Sequence, residues 1–420
     1  MKKVLLVLLL LMIGYGGYIL YDTYFQKQIP KLNVEEEIID INDLFIYGTH
    51  FNMSGDIVSD NNLDLVLYNG EFLSYKINIS NGSFNLSDYI NEGIDLEAIP
   101  IGTYYAFLRS SSKDEEDNDV FRYYVLNNNT KYDETVYYTF SNIGNKIVIN
   151  SDLEYNTITF NVTKNTESEI YDVVIDPGHG GKDSGANKNG KSEADYTMKI
   201  AAKLKEKLEE NGVKVKLTRE VNQLSSDKKL PDYGVHGRAV INHEVGAKYV
   251  FSIHLNSNSS TNVNGIEIYT ADNINYDFVK DMVNEIVNKA NTNFSSNKIN
   301  KVFNGIYTRT FTDYDIAISK KENSENGKKD YDVTTKSNYY FMIRETGGIM
   351  TGAYVDNRNE PKVLGNPYYD SNIGSEAYLI ELGYLTNNND INNIDKNMDN
   401  YVNAIASSFS KVFNSNKVEE

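Results

Sequence analysis

The stretch that most constrains this chain is Val173-Val174-Ile175-Asp176-Pro177-Gly178-His179-Gly180-Gly181-Lys182-Asp183-Ser184-Gly185-Ala186. Residues Val173–Asp176 read as a buried strand. Pro177 has no N–H to offer a ladder, so pairing ends there. Gly178, Gly180 and Gly181 permit positive φ and close backbone approach. The strand therefore stops in a tight turn with one histidine, His179, at its tip. The C-terminal ends of strands are where open α/β sheets gather their ligands, so His179 is well sited for metal or acid–base chemistry. A phosphate cradle does not fit: the glycine spacing matches neither the dinucleotide fingerprint nor the P-loop, and no Lys-Ser/Thr follows.

The pattern around this turn sets the fold class. From about residue 170 short apolar runs alternate with helical periods. Val173–Asp176, Val213–Thr218, Tyr249–His254, Gly265–Tyr269, Tyr339–Arg344 and Ala377–Leu382 read as strands. Glu193–Asn211, Gly237–Val245, Asn275–Ala290 and Asn400–Phe413 read as helices; in the first, Thr197, Ala201, Leu204 and Leu208 line one face. This alternation predicts an α/β region over 170–416, a mostly parallel twisted sheet with helices on both faces. Ser319–Ser337 lacks apolar period and reads as an exposed mobile loop. Glu345–Gly374, rich in Gly, Asn and Tyr, reads as a long functional or disordered loop. Residues 46–165 differ. Short alternating segments separated by Asn, Gly, Ser and Asp clusters predict an all-β, sandwich-like domain with no catalytic constellation. Residues 22–45 read as a polar, acidic stem.

Lys2 and Lys3 precede an uncharged run from Val4 to Tyr21. About 18 residues at helical rise span roughly 27 Å, close to a hydrocarbon core. Residues 1–21 are thus expected to be an N-terminal transmembrane anchor, with a cleaved signal peptide as the rival. The flanking lysines place the bulk of the chain outside the cytoplasm. The net charge of −18 argues against nucleic acid as a partner. The chain has no cysteine, so a metal here must use His, Asp or Glu.

Polar residues finishing apolar runs carry the chemistry. His179 follows the first strand, His254 ends Tyr249-Val250-Phe251-Ser252-Ile253-His254, and Glu381 sits within Leu379-Ile380-Glu381-Leu382. Glu193 opens the first helix, where a negative charge suits the macrodipole in any case. Such groups are costly to bury unless paired or ligated. Two histidines and a carboxylate make an open zinc site, and a further glutamate would be its general base. Each has a bland alternative: His254 as a satisfied core histidine, Glu381 as a buried cap. His50 stands apart as a structural or surface residue. His236 and His243 flank the short helix in surface or helix-terminal positions.

The region from about 171 to 415 resembles the zinc-dependent N-acetylmuramoyl-L-alanine amidases of bacterial cell walls, the amidase 3 family. The matching elements are Ile175–Gly181 with Asp183, Gly185 and Ala186; Glu193; Leu217-Thr218-Arg219; Gly237-Arg238-Ala239 with Asn242; Ser252–Asn256; Gly265-Ile266-Glu267; and Ile380–Asn387. The resemblance implies Zn²⁺ held by His179, Glu193 and His254, with Glu381 as the catalytic glutamate and peptidoglycan as substrate. Asn256 and Arg344 are candidates for substrate binding, with a plain surface salt bridge the favoured alternative for Arg344; Asp176 or Asp183 is a candidate for orienting a ligand imidazole, or equally for ending the strand or supporting the glycine turn. Some relatives carry an occluding helix before the catalytic strand, so 291–338 is either such an element or a solvated loop, and a protein activator is a candidate partner. Two other functions stay open: a catalytically silent peptidoglycan-binding or activator protein, and a zinc hydrolase of another amide.

Overall fold

The structure is a computed structural model describing residues 40–57, 63–126, 135–141, 144–152, 157–167, 169–220, 232, 236–325, 333–353, 366, 368 and 375–415. The expected anchor over 1–21 and most of the stem lie outside the described residues. Among the described residues no helix is long and apolar enough to cross a membrane.

The first half forms two antiparallel sheets facing each other. One holds β1 (Asp40–Tyr47), β2 (His50–Asp56), β5 (Asn78–Ser80), β6 (Ser83–Asn85) and β7 (Ile94–Asp95), in the order β1-β2-β6-β5 with β7 also on β2. The other holds β3 (Leu63–Tyr68), β4 (Phe72–Lys76), β8 (Gly102–Lys113), β9 (Asp119–Val125), β10 (Thr135–Tyr138), β11 (Asn145–Asp152) and β12 (Thr157–Lys164), in the order β10-β11-β12-β8-β3-β4 with β9 also on β8. Alternation dictates the arrangement. Ile158, Phe160 and Val162 of β12 turn inward against Phe51, Leu65, Leu67 and Leu108, while the intervening Asn161 stays exposed. The sandwich begins earlier than its expected start at residue 46. Most of β1 falls in the span read as stem, but Ile41 and Ile46 are buried and the strand pairs with β2.

The second half is a seven-stranded mixed sheet of β13 (Val173–Pro177), β16 (Val215–Leu217), β17 (Tyr249–Asn256), β18 (Glu267–Thr270), β19 (Lys301–Phe303), β20 (Ile306–Thr308) and β21 (Glu376–Tyr384), beside a small hairpin of β14 (Asn187–Lys188) and β15 (Lys191–Ser192). The order is β16-β13-β17-β21-β18-β20-β19. The first four are parallel; β18 runs antiparallel to β21, and β20 parallel to β18. The central strands are buried on both faces, which is why they read as continuous apolar runs. On one face pack α1 (Glu193–Glu210) and the helices Asp277–Ala290 and Asn388–Ser415. The other face is covered by short helices, Ile241–Glu244 and Phe341–Thr346. In chain order these are α2 (Ile241–Glu244), α3 (Asp277–Ala290), α4 (Asp313–Glu325), α5 (Phe341–Thr346) and α6 (Asn388–Ser415).

Three expectations are corrected. Tyr339–Arg344 is not a strand: most of it forms α5, whose Met342 and Ile343 are buried on the sheet. Ser319–Ser337 is not wholly loop, because α4 occupies its first part. The last helix begins at Asn388 rather than Asn400, and is kinked at Asn397.

The β region docks on the N-terminal ends of the parallel strands. Phe140 is buried in the core of the second half, stacked with Tyr249 and edge-on to Phe409 and Phe413. The Lys248 ammonium lies 4.0 Å from the centre of the Tyr137 ring. Asp172 accepts hydrogen bonds from Ser141 N–H and from Lys214 N–H, both at 2.6 Å. The opposite, C-terminal ends of the strands are left to the residues singled out in the sequence.

Candidate metal centre

The turn after β13 is built as its glycines require. Gly178 N–H donates to Ile253 C=O at 2.9 Å, holding the strand end against β17. His179 itself has φ of 62°, an uncommon conformation for a residue with a Cβ. Gly180 and Asp183 then exchange backbone hydrogen bonds of 2.7 and 3.1 Å, closing the loop. That closure brings Asp183 Oδ2 within 2.9 Å of His179 Nδ1. Two of the glycines are required by space as well. A Cβ on Gly178 would lie 2.5–2.7 Å from the His254 ring, and one on Gly185 would lie 2.6 Å from Glu193 Oε2.

Glu193 arrives from the first turn of α1, which Ser192 caps by accepting from Asp195 N–H. It is buried, and its two oxygens point to different histidines. Oε2 is 3.0 Å from His179 Nε2, and Oε1 is 3.0 Å from His254 Nδ1. Ala186 N–H and Leu255 N–H also donate to it, each at 3.0 Å. One ligand atom from each of His179, Glu193 and His254 lies within 4.8 Å of the others. Burial works against ionisation of Glu193, but the hydrogen bonds and charge of the two histidines outweigh it and hold its carboxyl below the usual range. Burial likewise disfavours the imidazolium of His179, yet Glu193 and Asp183 raise its pKa.

Glu381 lies beside this triad. His254 of β17, Glu381 of β21 and Glu267 of β18 are register partners across three adjacent strands. Glu381 Oε2 is out of contact with solvent and has no hydrogen-bond partner among the described residues. Burial, then repulsion from Glu193 and Glu267, push its pKa well above the carboxylate range. Glu267 is buried and its partners are neutral: Ser295 at 2.6 Å, Tyr269 at 2.7 Å, Asn256 Nδ2 at 3.1 Å and the Tyr384 hydroxyl. Three carboxylates therefore gather around two histidines. A divalent cation fits this donor set: it would suit the nitrogen and oxygen ligands, offset the excess negative charge and favour an ionised Glu381.

The remaining candidates fall into two groups. Asp183 faces the imidazole of His179. Asp176 does not. It is buried and accepts from Thr218 at 2.6 Å, Ser252 at 2.7 Å and Arg238 Nε at 2.8 Å. Burial opposes its charge, but Arg238 and the two hydroxyls keep its carboxyl below the ordinary range. Asn256 is two residues beyond His254 and is bound to Glu267. Arg344 is not at the triad: it is buried on α5, 2.8 Å from Glu345 Oε1 and donating to the carbonyls of Asn338 and Tyr339. Its own acid partner and these carbonyls occupy the guanidinium, in an ion pair that is buried rather than at the surface. His236 is exposed against Glu244, whereas His243 is buried and stacked on Tyr368.

Two residues that hold the turn carried no role in the sequence reading. Arg219 is buried and donates to the carbonyls of Pro177, Gly178 and Ala194, tying the turn to the start of α1. Arg238 donates to the carbonyls of Pro177 and His179. Both stand in short motifs, Leu217-Thr218-Arg219 and Gly237-Arg238-Ala239, that were legible as motifs but not as clamps.

Residues 173–411 match the sequence profile of the N-acetylmuramoyl-L-alanine amidases, Amidase_3. A probable cell wall amidase, LytH, of Staphylococcus epidermidis is 38% identical over 100 residues, 23% of this chain and 30% of that protein. LytH of Staphylococcus aureus matches at the same identity and coverage. The match thus spans less than a third of the length of these relatives. Among solved structures, the N-acetylmuramoyl-L-alanine amidase AmiC2 of Nostoc punctiforme is 23% identical, covering 59% of this chain and 99% of its own, with a TM-score of 0.35. The catalytic domain of CwlV from Bacillus (Paenibacillus) polymyxa var. colistinus is 21% identical, covering 58% and 99%, with a TM-score of 0.36. With a profile match over more than half of its 420 residues, this chain belongs to the Amidase_3 family of N-acetylmuramoyl-L-alanine amidases.

Proposed function

We propose that this protein is a zinc-dependent cell-wall hydrolase that cleaves the amide between N-acetylmuramic acid and L-alanine of peptidoglycan. The observation that carries the reading is the convergence of His179, Glu193 and His254 beside a Glu381 whose buried oxygen has no partner among the described residues. His179, Glu193 and His254 would hold the metal. When bound, zinc supplies a Lewis acid that polarises the amide carbonyl and acidifies water. Glu381 takes the proton of the attacking water and later delivers it to the alanine nitrogen as the C–N bond breaks. Asp183 fixes the ring of His179, and Asn256 with Tyr269, Tyr384 and Ser295 holds Glu267 behind Glu381. Action outside the cytoplasm, tethered by residues 1–21, belongs to the same proposal and rests on that segment's apolar run.

The test uses full-length protein in detergent, loaded with zinc and incubated with purified peptidoglycan. Mass spectrometry should find free stem peptides beginning with L-alanine from the wild type and none from Glu381→Gln, with one zinc retained by both. Normal turnover by Glu381→Gln would remove Glu381 as the base. Absence of bound zinc in the wild type would remove the metalloenzyme reading.

A further inference from the structure

The two halves of the chain enclose a cavity of about 350 Å³ where they meet. It lies at the N-terminal ends of the parallel strands, where the register partners Tyr249 and Glu376 open β17 and β21, away from the metal centre. Thr49, Tyr249 and Glu376, each 5% exposed, form its floor, and Asp277 at the start of α3 is exposed at its rim. Asn91 and Asn275 exchange hydrogen bonds along one side, and Asn275 Nδ2 also donates to Glu92 at 2.7 Å. Glu376 is the unusual group. Its Oε1 accepts from the Tyr378 hydroxyl at 2.8 Å, but Oε2 is out of contact with bulk solvent and has no hydrogen-bond partner among the described residues. Burial pushes this carboxyl up to about 7. Gly48, at φ of 60°, leaves the space beside Oε2 open, because a Cβ there would stand 3.1 Å from it.

The charges around this cavity do not balance. Glu92, Asp95, Asp277 and Glu376 line it, and among the described residues no Lys or Arg does. Asp277 is offset by Lys280 at 3.6 Å. The nearby cations are engaged elsewhere: Lys248 is buried over the Tyr137 ring with its charge answered by Glu97, Lys76 meets Asp64, and Lys411 meets Asp281 and Glu285. His50 does not supply the missing charge, because burial lowers its pKa against the pull of Asp95 and Glu92. Glu92, Asp95 and Glu376 are thus left with neutral partners, Ser87 and Asn275, the Glu97 N–H, and Tyr378.

From this imbalance we infer that the cavity is a binding site for a primary alkylammonium group. An ammonium brings three N–H donors and no acceptor, which suits a lining with carboxylate oxygens in surplus and one of them unpartnered among the described residues. Phe278 and Val412 offer apolar wall to the carbon chain behind it. The volume is that of a small-molecule site rather than of a bare ion. Nor do the three carboxyls converge on a metal: among the described residues only His179, Glu193 and His254 bring three such ligands together. A ligand here touches both halves, Thr49 and Asp95 of the one and Tyr249 and Glu376 of the other, so it binds the docked form and stabilises it. Two carriers present the group, a free small amine and a lysine side chain of a partner. None of the lining residues belongs to the metal centre, so amine binding does not depend on the activity proposed there.

The test titrates full-length, zinc-loaded protein in detergent with pentylammonium chloride, 1-pentanol and a short lysine-containing peptide, by calorimetry, and follows the melting temperature with each. Pentylammonium should bind saturably and raise the melting temperature, and pentanol should bind about tenfold more weakly or worse. Glu376→Gln should weaken amine binding about tenfold or more while retaining its zinc and its action on peptidoglycan. If Glu376→Gln does not fold, Asp95→Asn, which keeps the side-chain cap on the Glu97 N–H, should show a smaller loss in the same direction. Tighter binding of the peptide than of pentylammonium would support the site with a partner's lysine as carrier, and the reverse order would support it with a free amine. Equal binding of pentanol and pentylammonium, absence of saturable amine binding, or amine binding unaltered in the folded variant would overturn the inference.

Discussion

Replacing Gly178 with alanine is expected to damage the metal centre while sparing the fold. Gly178 lies outside the left-handed region, so an added methyl does not strain the backbone. Its N–H is held by Ile253 C=O at 2.9 Å, so the backbone does not readily yield. The new Cβ would stand 2.5 Å from His254 Cε1, 2.6 Å from Nε2 and 2.7 Å from Nδ1. Contacts of this kind relax to about 3.4 Å, so the ring must retreat by about 0.9 Å, which stretches the 3.0 Å approach of His254 Nδ1 to Glu193 beyond hydrogen-bond range. Displacements near 1 Å around a site, or loss of a contact orienting a ligand, cost about 10- to 100-fold in metal affinity or rate. Zinc affinity measured by competition with a chromophoric chelator should fall by that factor, with turnover falling alongside. The melting temperature of the zinc-free protein should change little, because the added methyl presses on a partly exposed ring at the strand ends rather than on the core. A variant binding zinc within about twofold of wild type would refute the reasoning.

Asp183→Asn should lower zinc affinity by about 10- to 100-fold through a misdirected His179 ring, read by the same chelator competition; an unchanged affinity would make Asp183 a loop residue only. Phe140→Ala should destabilise the protein by about 3–5 kcal/mol in chemical denaturation, as for a buried aromatic ring, and a loss below about 1 kcal/mol would mean the β region is only loosely docked. Asp176 has a folded pKa below its unfolded value, so it contributes stability above the ordinary carboxylate pKa of about 4 that is lost as pH falls through the lowered value. The stability gap between wild type and Asp176→Asn should therefore be widest near neutral pH and narrow on acidification; a gap that widens in acid would reverse the assigned charge state.

Much of the site was legible because its signals are local. A proline and three glycines clustered around His179, and single polar residues ending apolar runs, leave few alternatives. The strands of the central sheet were legible for the same reason, since burial on both faces demands an unbroken apolar run. The failures share a different cause. Tyr339–Arg344 has the aromatic and branched residues of a strand, but a short run buried by tertiary packing gives no period to decide between strand and helix. The first turn of α6 is Asn388-Asn389-Asp390, a weak helix former by propensity, and it is held in place by the burial of Ile391 and Ile394 behind it. In α4, Tyr314 and Ile318 remain exposed, so no buried stripe marks it. Arg219 and Arg238 act on carbonyls 25 and 61 residues away in sequence, a relation that only the folded chain displays.

Phe140 gives the two halves of this chain a shared fate. A ring contributed by the β region completes an aromatic cluster with Tyr249, Phe409 and Phe413, and Tyr47 and Ile90 sit in the apolar layer on the other side of the sheet. Exchanging the β region for an unrelated module at residue 170 would leave a ring-sized hole on one side and bare apolar surface on the other. The join is short in sequence but broad in packing. Change in either half is thus constrained by the other, and the two would be expected to diversify together rather than be shuffled as independent beads.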